Sequence, residues 1–240
     1  MLIRREVVPD GFVTISDEEE SINKALENNE AVIGILAPHT ANRNWSGVTY
    51  LMEDCECLDD AFLMEVYSRH HNIPMTIGES NRLRIREMTE DDLEALYRFY
   101  EDEMTSLFLE KLDDDRETEL EKLKAYIRNV YRFYGCGMWV VEDATKKHPT
   151  IIGRVGLEPE TYRNQTEWFL GYLIDKRYRN RGLCMEACQL AISYAVDRLG
   201  LSNIYCRIDD SNTISHYIAK KLSFEPFEKE EGSTVYKKKI

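Results

Sequence analysis

The stretch "DKRYRNRGLCMEA", residues 175–187, places several basic side chains and a glycine directly before an amphipathic segment. The residues of interest are Lys176, Arg177, Arg179, Arg181 and Gly182. A helix that begins after the glycine would present unpaired backbone N–H groups and a partial positive charge to an anion. Glycine would also let the anion approach the backbone closely. The stretch therefore predicts an anion-binding turn at a helix N-terminus, and an exposed basic turn that only begins a structural helix is the alternative.

Strands and helices alternate on both sides of this turn. Apolar runs predict strands in "LRIREM" (83–88), "MWVVEDA" (138–144), "TIIGRVGLEP" (150–159), "TEWFLGYLID" (166–175), "NIYCRID" (203–209) and "STVYKKK" (233–239). Helical spacing predicts helices after the N-cap candidate Thr89 and over about 117–134, 184–201 and 212–223. The resulting order, β-α-α-β-β-β-α-β-α-β, predicts a mixed α/β fold with an antiparallel meander in the middle.

The first 80 residues form a separate pattern. Strands are predicted in "GFVTI" (11–15), "AVIGIL" (31–36), "VTYLME" (48–53) and "IPMTIG" (73–78), with helices after the N-cap candidate Ser16 and over 59–71. This alternation predicts a small α/β module without a glycine-rich phosphate turn. We therefore expect two domains, residues 1–80 and 81–240, that meet near residues 78–82.

Charge supports the same division. Residues 1–80 carry 5 Lys/Arg against 15 Asp/Glu, a net charge of −10, whereas residues 81–240 carry −3. Such an asymmetry indicates two modules, although an acidic surface that is merely solvated would give the same numbers. The overall charge of −13 argues against a nucleic-acid partner, because sequence-independent binding to phosphates needs a basic face.

Membrane and secretion signals are missing from the sequence. No apolar run approaches the roughly 18 to 20 residues that span a bilayer, and the first residues contain no apolar segment of a signal peptide. The cysteines follow no disulfide framework spacing and stand at Cys55, Cys57, Cys136, Cys184, Cys188 and Cys206. We expect a reduced, cytoplasmic protein with no membrane partner.

A metal site is the alternative interpretation of "DCEC" (54–57), which contains Cys55 and Cys57 and is followed by His70 and His71. A structural zinc site needs a second pair of ligands at matching spacing. The two histidines instead stand at the end of an amphipathic helix. The sequence therefore predicts no metal.

Several short motifs follow one another in a fixed order around the basic turn. They are Gly171-Tyr172-Leu173-Ile174-Asp175 in the preceding strand, Arg179, Gly182 and Cys184 in the turn, Glu186-Ala187 in the helix, and Asn212, Ser215, Leu222, Ser223 and Phe224 downstream. This set resembles the GCN5-related N-acetyltransferase (GNAT) superfamily, nearest the branch of ribosomal-protein N-acetyltransferases, over about residues 82–240. Asn180, Cys184 and Ser223 replace residues that are usually smaller in that pattern, and each is a modest change.

The resemblance implies a GNAT-like fold with a central mixed sheet, preceded by the small α/β module, and acetyl-CoA as cosubstrate. It assigns cofactor binding to Ile174, Arg179, Asn180, Arg181, Gly182, Leu183, Cys184 and Asn212. The anion would be the pyrophosphate of coenzyme A, with arginine side chains adding cationic donors. The pantetheine arm would lie along the strand end near Ile174, which requires two neighbouring strands to separate after Gly171.

The catalytic positions match the family less well. Its usual glutamate base falls on Phe169, so Glu167, two residues earlier on the same strand face, is the candidate base, with Glu158 as the alternative. Its usual tyrosine falls on Ala219. Ser215 and Tyr217 are therefore the candidates for orienting or protonating the thiol.

These observations predict an N-acetyltransferase that moves an acetyl group from acetyl-CoA to a primary amine of a small molecule or peptide. A non-catalytic CoA-binding sensor or scaffold is the alternative function. The charge of residues 1–80 suggests a cationic acceptor, and a solubilising or homodimer-forming role for this module is the alternative.

Overall fold

Two β-sheets organise the chain, one of four strands and one of eight. The computed structural model describes residues 2–48, 50–56 and 58–240. Each sheet belongs to its own compact unit, Met1–Met75 and Thr76–Ile240. The predicted mixed α/β class is confirmed.

The first unit contains a four-stranded sheet in the order β1-β2-β3-β4. Its strands are β1 (Leu2–Val8), β2 (Gly11–Ser16), β3 (Ala31–Ile35) and β4 (Tyr50–Met52), and its helices are α1 (Glu19–Glu27), α2 (Asp60–His70) and a 3₁₀ turn, Pro38–Thr40. β1 and β2 are antiparallel, while β2, β3 and β4 run parallel. Every residue of β3 is buried, since Val32 packs with residues of α1 and Ile33 packs with residues of α2. The all-apolar sequence of β3 is typical of a parallel strand covered on both faces.

Two predictions for this unit need correction, and the sequence pattern gives no signal for β1. Ser16 does not cap α1: Glu18 occupies the N-cap position, and Ser16 Oγ accepts a hydrogen bond from the Glu18 amide at 3.0 Å. Thr76–Glu79, assigned to the first module, instead begins the second sheet, because it forms a hairpin with Leu83–Arg86 in which the Ser80 amide donates to Leu83 O at 2.8 Å. The division between the units thus falls after residue 75 rather than after residue 80.

The second unit contains an eight-stranded sheet in the order β11-β12-β10-β9-β8-β7-β6-β5. The strands are β5 (Thr76–Glu79), β6 (Leu83–Arg86), β7 (Met138–Asp143), β8 (Thr150–Tyr162), β9 (Gln165–Ile174), β10 (Asn203–Asp209), β11 (Glu225–Glu230) and β12 (Ser233–Lys239). The helices are α3 (Leu93–Tyr100), α4 (Glu103–Phe108), α5 (Arg116–Tyr126), α6 (Arg132–Tyr134), α7 (Leu183–Asp197) and α8 (Thr213–Lys221), with a π-helical segment at Ile127–Tyr131 and 3₁₀ turns at Glu90–Asp92 and Lys176–Tyr178. All neighbouring strands of this sheet are antiparallel except β9 and β10, which are parallel.

Helices cover both faces of this sheet. The strand registers place Trp139 and Tyr172 on one face, where the buried Trp139 ring meets Tyr194 of α7 edge-on at 5.2 Å. Glu158 and Phe169 share the opposite face, where the Tyr126 hydroxyl of α5 donates to Glu158 Oε1 at 3.0 Å. The core therefore extends on both sides of the sheet. Within the part of the chain that the structure describes, no helix has the length and apolarity to cross a membrane.

The end of α8 contains a non-glycine residue in the left-handed conformation. Ser223 follows the C-cap Leu222 with φ of 64°, in the left-handed region, and the Phe224 amide donates to Ala219 O at 2.9 Å. A side chain in this conformation is strained, whereas glycine is not. We expect Ser223→Gly to raise the free energy of unfolding by about 0.5 to 1 kcal/mol in urea denaturation.

The control for this variant is Ser233→Gly in β12, which we expect to lower stability because glycine weakens a strand. A Ser223→Gly protein that is less stable than the wild type would show that the serine hydroxyl, rather than backbone strain, decides this position.

Candidate functional site

The parallel strands β9 and β10 meet at only one register pair, Phe169 with Tyr205. Beyond it both strands continue, and residues 170–174 of β9 and 206–209 of β10 line a cleft of about 470 Å³. The other edge of each strand is fully paired, since β9 pairs with β8 along its whole length and β10 pairs with β12 along its whole length. The predicted separation of the two strands near Gly171 is confirmed.

The basic turn begins at the mouth of this cleft. Asp175 follows β9 and caps the 3₁₀ turn Lys176–Tyr178, accepting from the Arg177 amide at 2.9 Å and from its guanidinium at 2.5 Å. These hydrogen bonds to Arg177, followed by the charge of Arg98 with its Nε 3.6 Å away, hold the pKa of the buried Asp175 carboxyl below its usual range. Arg177 therefore fixes the turn in place, and it is not among the residues that line the cleft.

Two left-handed residues then direct the chain into α7. Asn180 has φ of 60° and Gly182 has φ of 76°, and Gly182 is the N-cap of a 15-residue helix. Among the described residues no side chain caps this helix start. The first residues of α7, Leu183 to Met185, line the cleft. Their amides belong to the helix turn that lacks intrahelical acceptors, so the site offers backbone donors and the positive end of a helix dipole to an anion.

Arginine side chains of the turn have hydrogen-bond partners within the protein. Arg179 Nε donates to Ile174 O at 3.0 Å, and its Nη2 donates to Asp102 Oδ2 at 2.6 Å. Arg181 Nη2 donates to Arg177 O at 3.0 Å, and Arg181 is not among the residues that line the cleft. Both guanidiniums thus donate to acceptors within the protein, and Arg179 also lines the cleft whereas Arg181 does not.

The start of α7 is also attached to the β5–β6 hairpin, through Glu186 and the Arg181 carbonyl. The Glu186 carboxylate accepts from Ser80 Oγ at 2.5 Å and from Arg82 Nε at 2.8 Å, while Arg82 Nη1 donates to Arg181 O at 3.0 Å. Burial acts to raise the pKa of Glu186, but the hydrogen bonds from Ser80 and Arg82 outweigh it and lower the pKa. The glutamate of the sequence motif thus acts as an ionised anchor that fixes the turn to the β5–β6 hairpin.

Residues of α8 form the other wall. Asn212 caps this helix, with its Oδ1 accepting from the Ser215 amide at 3.0 Å, and Ser215 O accepts from the Tyr172 hydroxyl at 3.1 Å. Burial raises the pKa of Tyr172, so this phenol stays protonated and donates. Asn212, Ser215 and Tyr217 all line the cleft, and the Tyr217 ring is 61% exposed. The structure therefore brings two predicted catalytic candidates, Ser215 and Tyr217, together with the predicted cofactor-binding residues other than Arg181.

Glu167 is not brought to this place. It stands two residues before Phe169, opposite Glu160 of β8, and its Oε1 lies 3.4 Å from the Tyr205 hydroxyl. It is not among the residues lining the cleft. The prediction that Glu167 removes the acceptor proton does not fit this position, because a base must lie within hydrogen-bond reach of that proton.

Helix α4 contributes a wall of the cleft that has no clear signal in the sequence. The lining residues of this wall are Met104, Thr105, Phe108 and Leu109. The segment is short, and its apolar residues show no long helical stripe. No local signal connects Asp102 with Arg179, which lies 77 residues further along the chain.

Within the described residues, 2–48, 50–56 and 58–240, no group of three or more His, Cys, Asp or Glu side chains is arranged to hold a metal ion, and this includes the segment around "DCEC". His70 Nε2 lies 3.3 Å from Asn29 Oδ1, and the His70 and His71 rings meet edge-on at 4.8 Å. Cys57, part of the alternative metal interpretation, lies outside the described residues.

Asp175 predicts a pH effect on stability. Its pKa is lowered in the folded protein, so it stabilises the fold above its unfolded pKa of about 3.9, and this contribution is lost as the pH falls through the lower folded value. We expect Asp175→Asn to cost roughly 1.5 to 3 kcal/mol at pH 7, the range for hydrogen bonds to charged groups. The difference from the wild type should shrink below about pH 4, as measured by urea denaturation across pH.

Asp197→Asn, at the exposed end of α7, is the matched control and should leave the pH profile unchanged. A difference between Asp175→Asn and the wild type that is constant from pH 7 to pH 3 would mean that the ion pair contributes nothing.

Comparisons with known proteins agree with this geometry. A family model described as "Acetyltransferase (GNAT) domain" matches residues 82–225. The chain is 27% identical over 144 residues to the "Uncharacterized protein YkkB" of Bacillus subtilis, covering 60% of this chain and 81% of that protein. It is 25% identical over 150 residues to the "Uncharacterized N-acetyltransferase YoaA" of the same organism, covering 62% and 82%.

Solved structures share the fold of the second unit. The RimL ribosomal L7/L12 alpha-N-protein acetyltransferase, 17% identical, matches with a TM-score of 0.57 over 70% of this chain and 95% of RimL. The ribosomal-protein-S5-alanine acetyltransferase from Vibrio fischeri, 17% identical, matches with a TM-score of 0.55 over 68% and 95%. Because the family model covers more than half of the chain, the resemblance seen in the sequence is confirmed, and the chain belongs to the GNAT family of acetyltransferases.

Proposed function

We propose that this protein transfers an acetyl group from acetyl-CoA to a primary amine of a small molecule or peptide. The observation that carries the proposal is the uncapped start of α7 at Gly182, which opens onto the cleft between β9 and β10. A phosphate-bearing ligand with a long polar arm fits both features, since phosphate binds at helix N-termini and extended amides add to open strand edges.

Residues of the cleft suit the two ends of acetyl-CoA. The amides from Gly182 to Cys184 would hold the pyrophosphate, with Asn180 shaping the turn through its left-handed backbone. β9 pairs with β8 on one side. Its other edge, which faces β10, has no strand partner from Gly171 to Ile174 and would pair with the pantetheine amides. A structural neighbour, RimL, has been solved in complex with coenzyme A, which supports a CoA ligand for this fold.

Transfer requires a neutral amine, a proton acceptor and a proton donor. Acetyl-CoA supplies a thioester carbonyl: the amine nitrogen forms the new C–N bond, the C–S bond breaks, and the amine loses one proton while the thiolate gains one. The hydroxyls of Ser215 and Tyr217 are positioned on the α8 wall as candidate donors to the thiolate. With Glu167 outside the cleft, the amine proton would leave through water or another carboxylate.

The acceptor would approach from the sheet face opposite α7. Gly171 and Leu173 share that face with Arg207 and Asp209 of β10, because Phe169 and Tyr205 are directly paired and successive side chains alternate. Hydrogen bonds from Ser211 lower the pKa of Asp209, so this carboxylate is ionised near the mouth of the cleft. Together with the net charge of −13, it favours a cationic acceptor.

A CoA-binding sensor is the second candidate. It is favoured by the two positions, 169 and 219, at which this chain lacks the family's usual glutamate and tyrosine. Phe169 and Ala219 are both buried, so neither position presents a polar group to a substrate. Turnover separates the two functions, because a transferase releases free CoA in the presence of an amine and a sensor does not.

The five described cysteines are free thiols, which supports the expected reducing, cytoplasmic location.

Gly182 provides the test of cofactor binding. A valine there would have to adopt φ of 76° and would place a branched side chain at the approach to the helix start. We expect Gly182→Val to weaken acetyl-CoA binding by at least about tenfold in titration calorimetry. The matched control is Gly200→Val, since Gly200 has φ of 61° with nothing within 4 Å and lies beyond the other end of α7. Equal affinities of the two variants would exclude the helix start as the pyrophosphate site.

Release of free thiol from acetyl-CoA, followed with a panel of primary amines, tests turnover. If Ser215 or Tyr217 protonates the thiolate, then Ser215→Ala or Tyr217→Phe should lower kcat by roughly a hundredfold, at the low end for general acid catalysis, with little change in acetyl-CoA affinity. Thr213→Ala removes an exposed hydroxyl from the same helix and serves as the control. Cofactor binding without thiol release for any amine would favour the sensor.

The same assay tests the preference for a cationic acceptor. We expect the ratio of kcat/KM for a diamine to that for a monoamine of similar size to fall as salt rises, because screening shortens from about 30 Å at 0.01 M to about 8 Å at 0.15 M. A ratio that does not change with salt would exclude steering by the acidic surface.

A further inference from the structure

One guanidinium joins three elements around the cleft. Arg179 Nε donates to Ile174 O at the end of β9, and its Nη2 donates to Asp102 Oδ2 at 2.6 Å and to Thr105 Oγ1 at 3.4 Å. The side chains of Arg179 and Asp102 are only 31% and 16% exposed. Burial acts to raise the pKa of Asp102, but the hydrogen bond from Arg179 outweighs it, so the carboxyl is ionised. This contact, the Asp102–Arg179 pair, connects the basic turn with the start of α4.

Helix α4 has few other attachments. It spans six residues, a length at which an isolated helix is not stable in water. Thr105 is its only buried residue among those described, whereas Met104 and Leu107 are 47% and 67% exposed. Besides the pair, Arg179 Nη2 donates to Thr105 Oγ1 at 3.4 Å, Ser106 Oγ donates to Tyr100 O at 2.9 Å, and α4 contacts α3. The Asp102–Arg179 pair is the charged contact among these, so the position of α4 along the cleft depends in part on it.

We propose that Asp102 is a positioning residue, which holds α4 as a wall of the cofactor cleft and couples that wall to the turn that binds the pyrophosphate. The inference rests on the proposed function, because the turn is taken to be the cofactor site. Asp102 itself does not line the cleft and acts through Arg179. Since Arg179 is part of the turn, a ligand that orders the turn also favours the arrangement in which α4 is held.

A purely electrostatic role for Asp102 makes the opposite prediction. As a negative charge beside an anion site, the carboxylate would disfavour the ligand, and its removal would free Arg179 to bind phosphate. In that case neutralising Asp102 would tighten cofactor binding and leave the order of α4 unchanged. A measurement on α4 itself separates the two roles, because only positioning couples the helix to the ligand.

Hydrogen exchange of the full chain, with coenzyme A as the probe, is the decisive experiment. In the wild type we expect CoA to slow amide exchange both at residues 183–186 and at residues 103–109. In Asp102→Asn, exchange of 103–109 in the free protein should rise by about tenfold, the loss of one charge-assisted hydrogen bond, and CoA should no longer slow it. Asp102→Glu, which keeps the charge, should retain much of the coupling.

The matched control is Glu94→Gln, which removes a carboxylate that is ion-paired with Arg116 and exposed on the neighbouring helix α3. It should behave as the wild type. Unchanged exchange of β9 in Asp102→Asn verifies that the variant is folded. If CoA slows exchange at 103–109 equally in Asp102→Asn and the wild type, the inference is wrong.

The experiment also distinguishes the inference from the function on which it rests. Slowing at residues 183–186 without slowing at 103–109 in the wild type overturns only the coupling. No slowing at 183–186 in the wild type overturns both, since the turn would then not bind the cofactor.

Discussion

The single register pair between Phe169 and Tyr205 is the constraint on which the site depends. Each of the parallel strands that it joins has its other edge fully paired, so the sheet persists while the two strands separate. Separation leaves backbone groups of β9 without a strand partner, and such groups need acceptors and donors from elsewhere. Under the proposed function, the pantetheine amides of acetyl-CoA would meet that need.

The basic turn has two roles that its sequence does not separate. Arg177 is held by Asp175 and Arg179 is held by Asp102, so both guanidiniums help to fix the backbone of the turn. The helix start at Gly182 supplies backbone donors in addition. An acidic chain can thus gather arginines at one turn and use them to fix its geometry. Under the proposed function, donors that are already in place would limit the entropy lost on binding.

How far sequence predicts this structure follows from the range of the interactions. β9, α7 and β10 were predicted because their apolar spacing is local and their turn residues are distinctive. β11 was missed, since "EPFEKE" (225–230) has a proline and three glutamates and resembles a loop; it is tolerated as an edge strand because it pairs only with β12. The Asp102–Arg179 pair and the hairpin that moves Thr76–Glu79 into the second sheet are tertiary contacts, which no local pattern specifies.

The same reasoning applies to Glu167, the predicted proton acceptor. Strand alternation puts Glu167 on the face of Phe169, but the cleft begins beyond Phe169, and Glu167 is not among the residues that line it. Phe169 itself is stacked on Tyr205 at 5.5 Å, and the Arg207 guanidinium covers it at 4.6 Å. A carboxylate at this position would enter an aromatic cluster and contact Arg207, so its charge would be neutralised by an ion pair. Under the proposed function, direct transfer would need a proton path that does not begin at Glu167. Tyr172 of β9 and Thr105 of α4 line the cleft together with polar residues of β10 and α8.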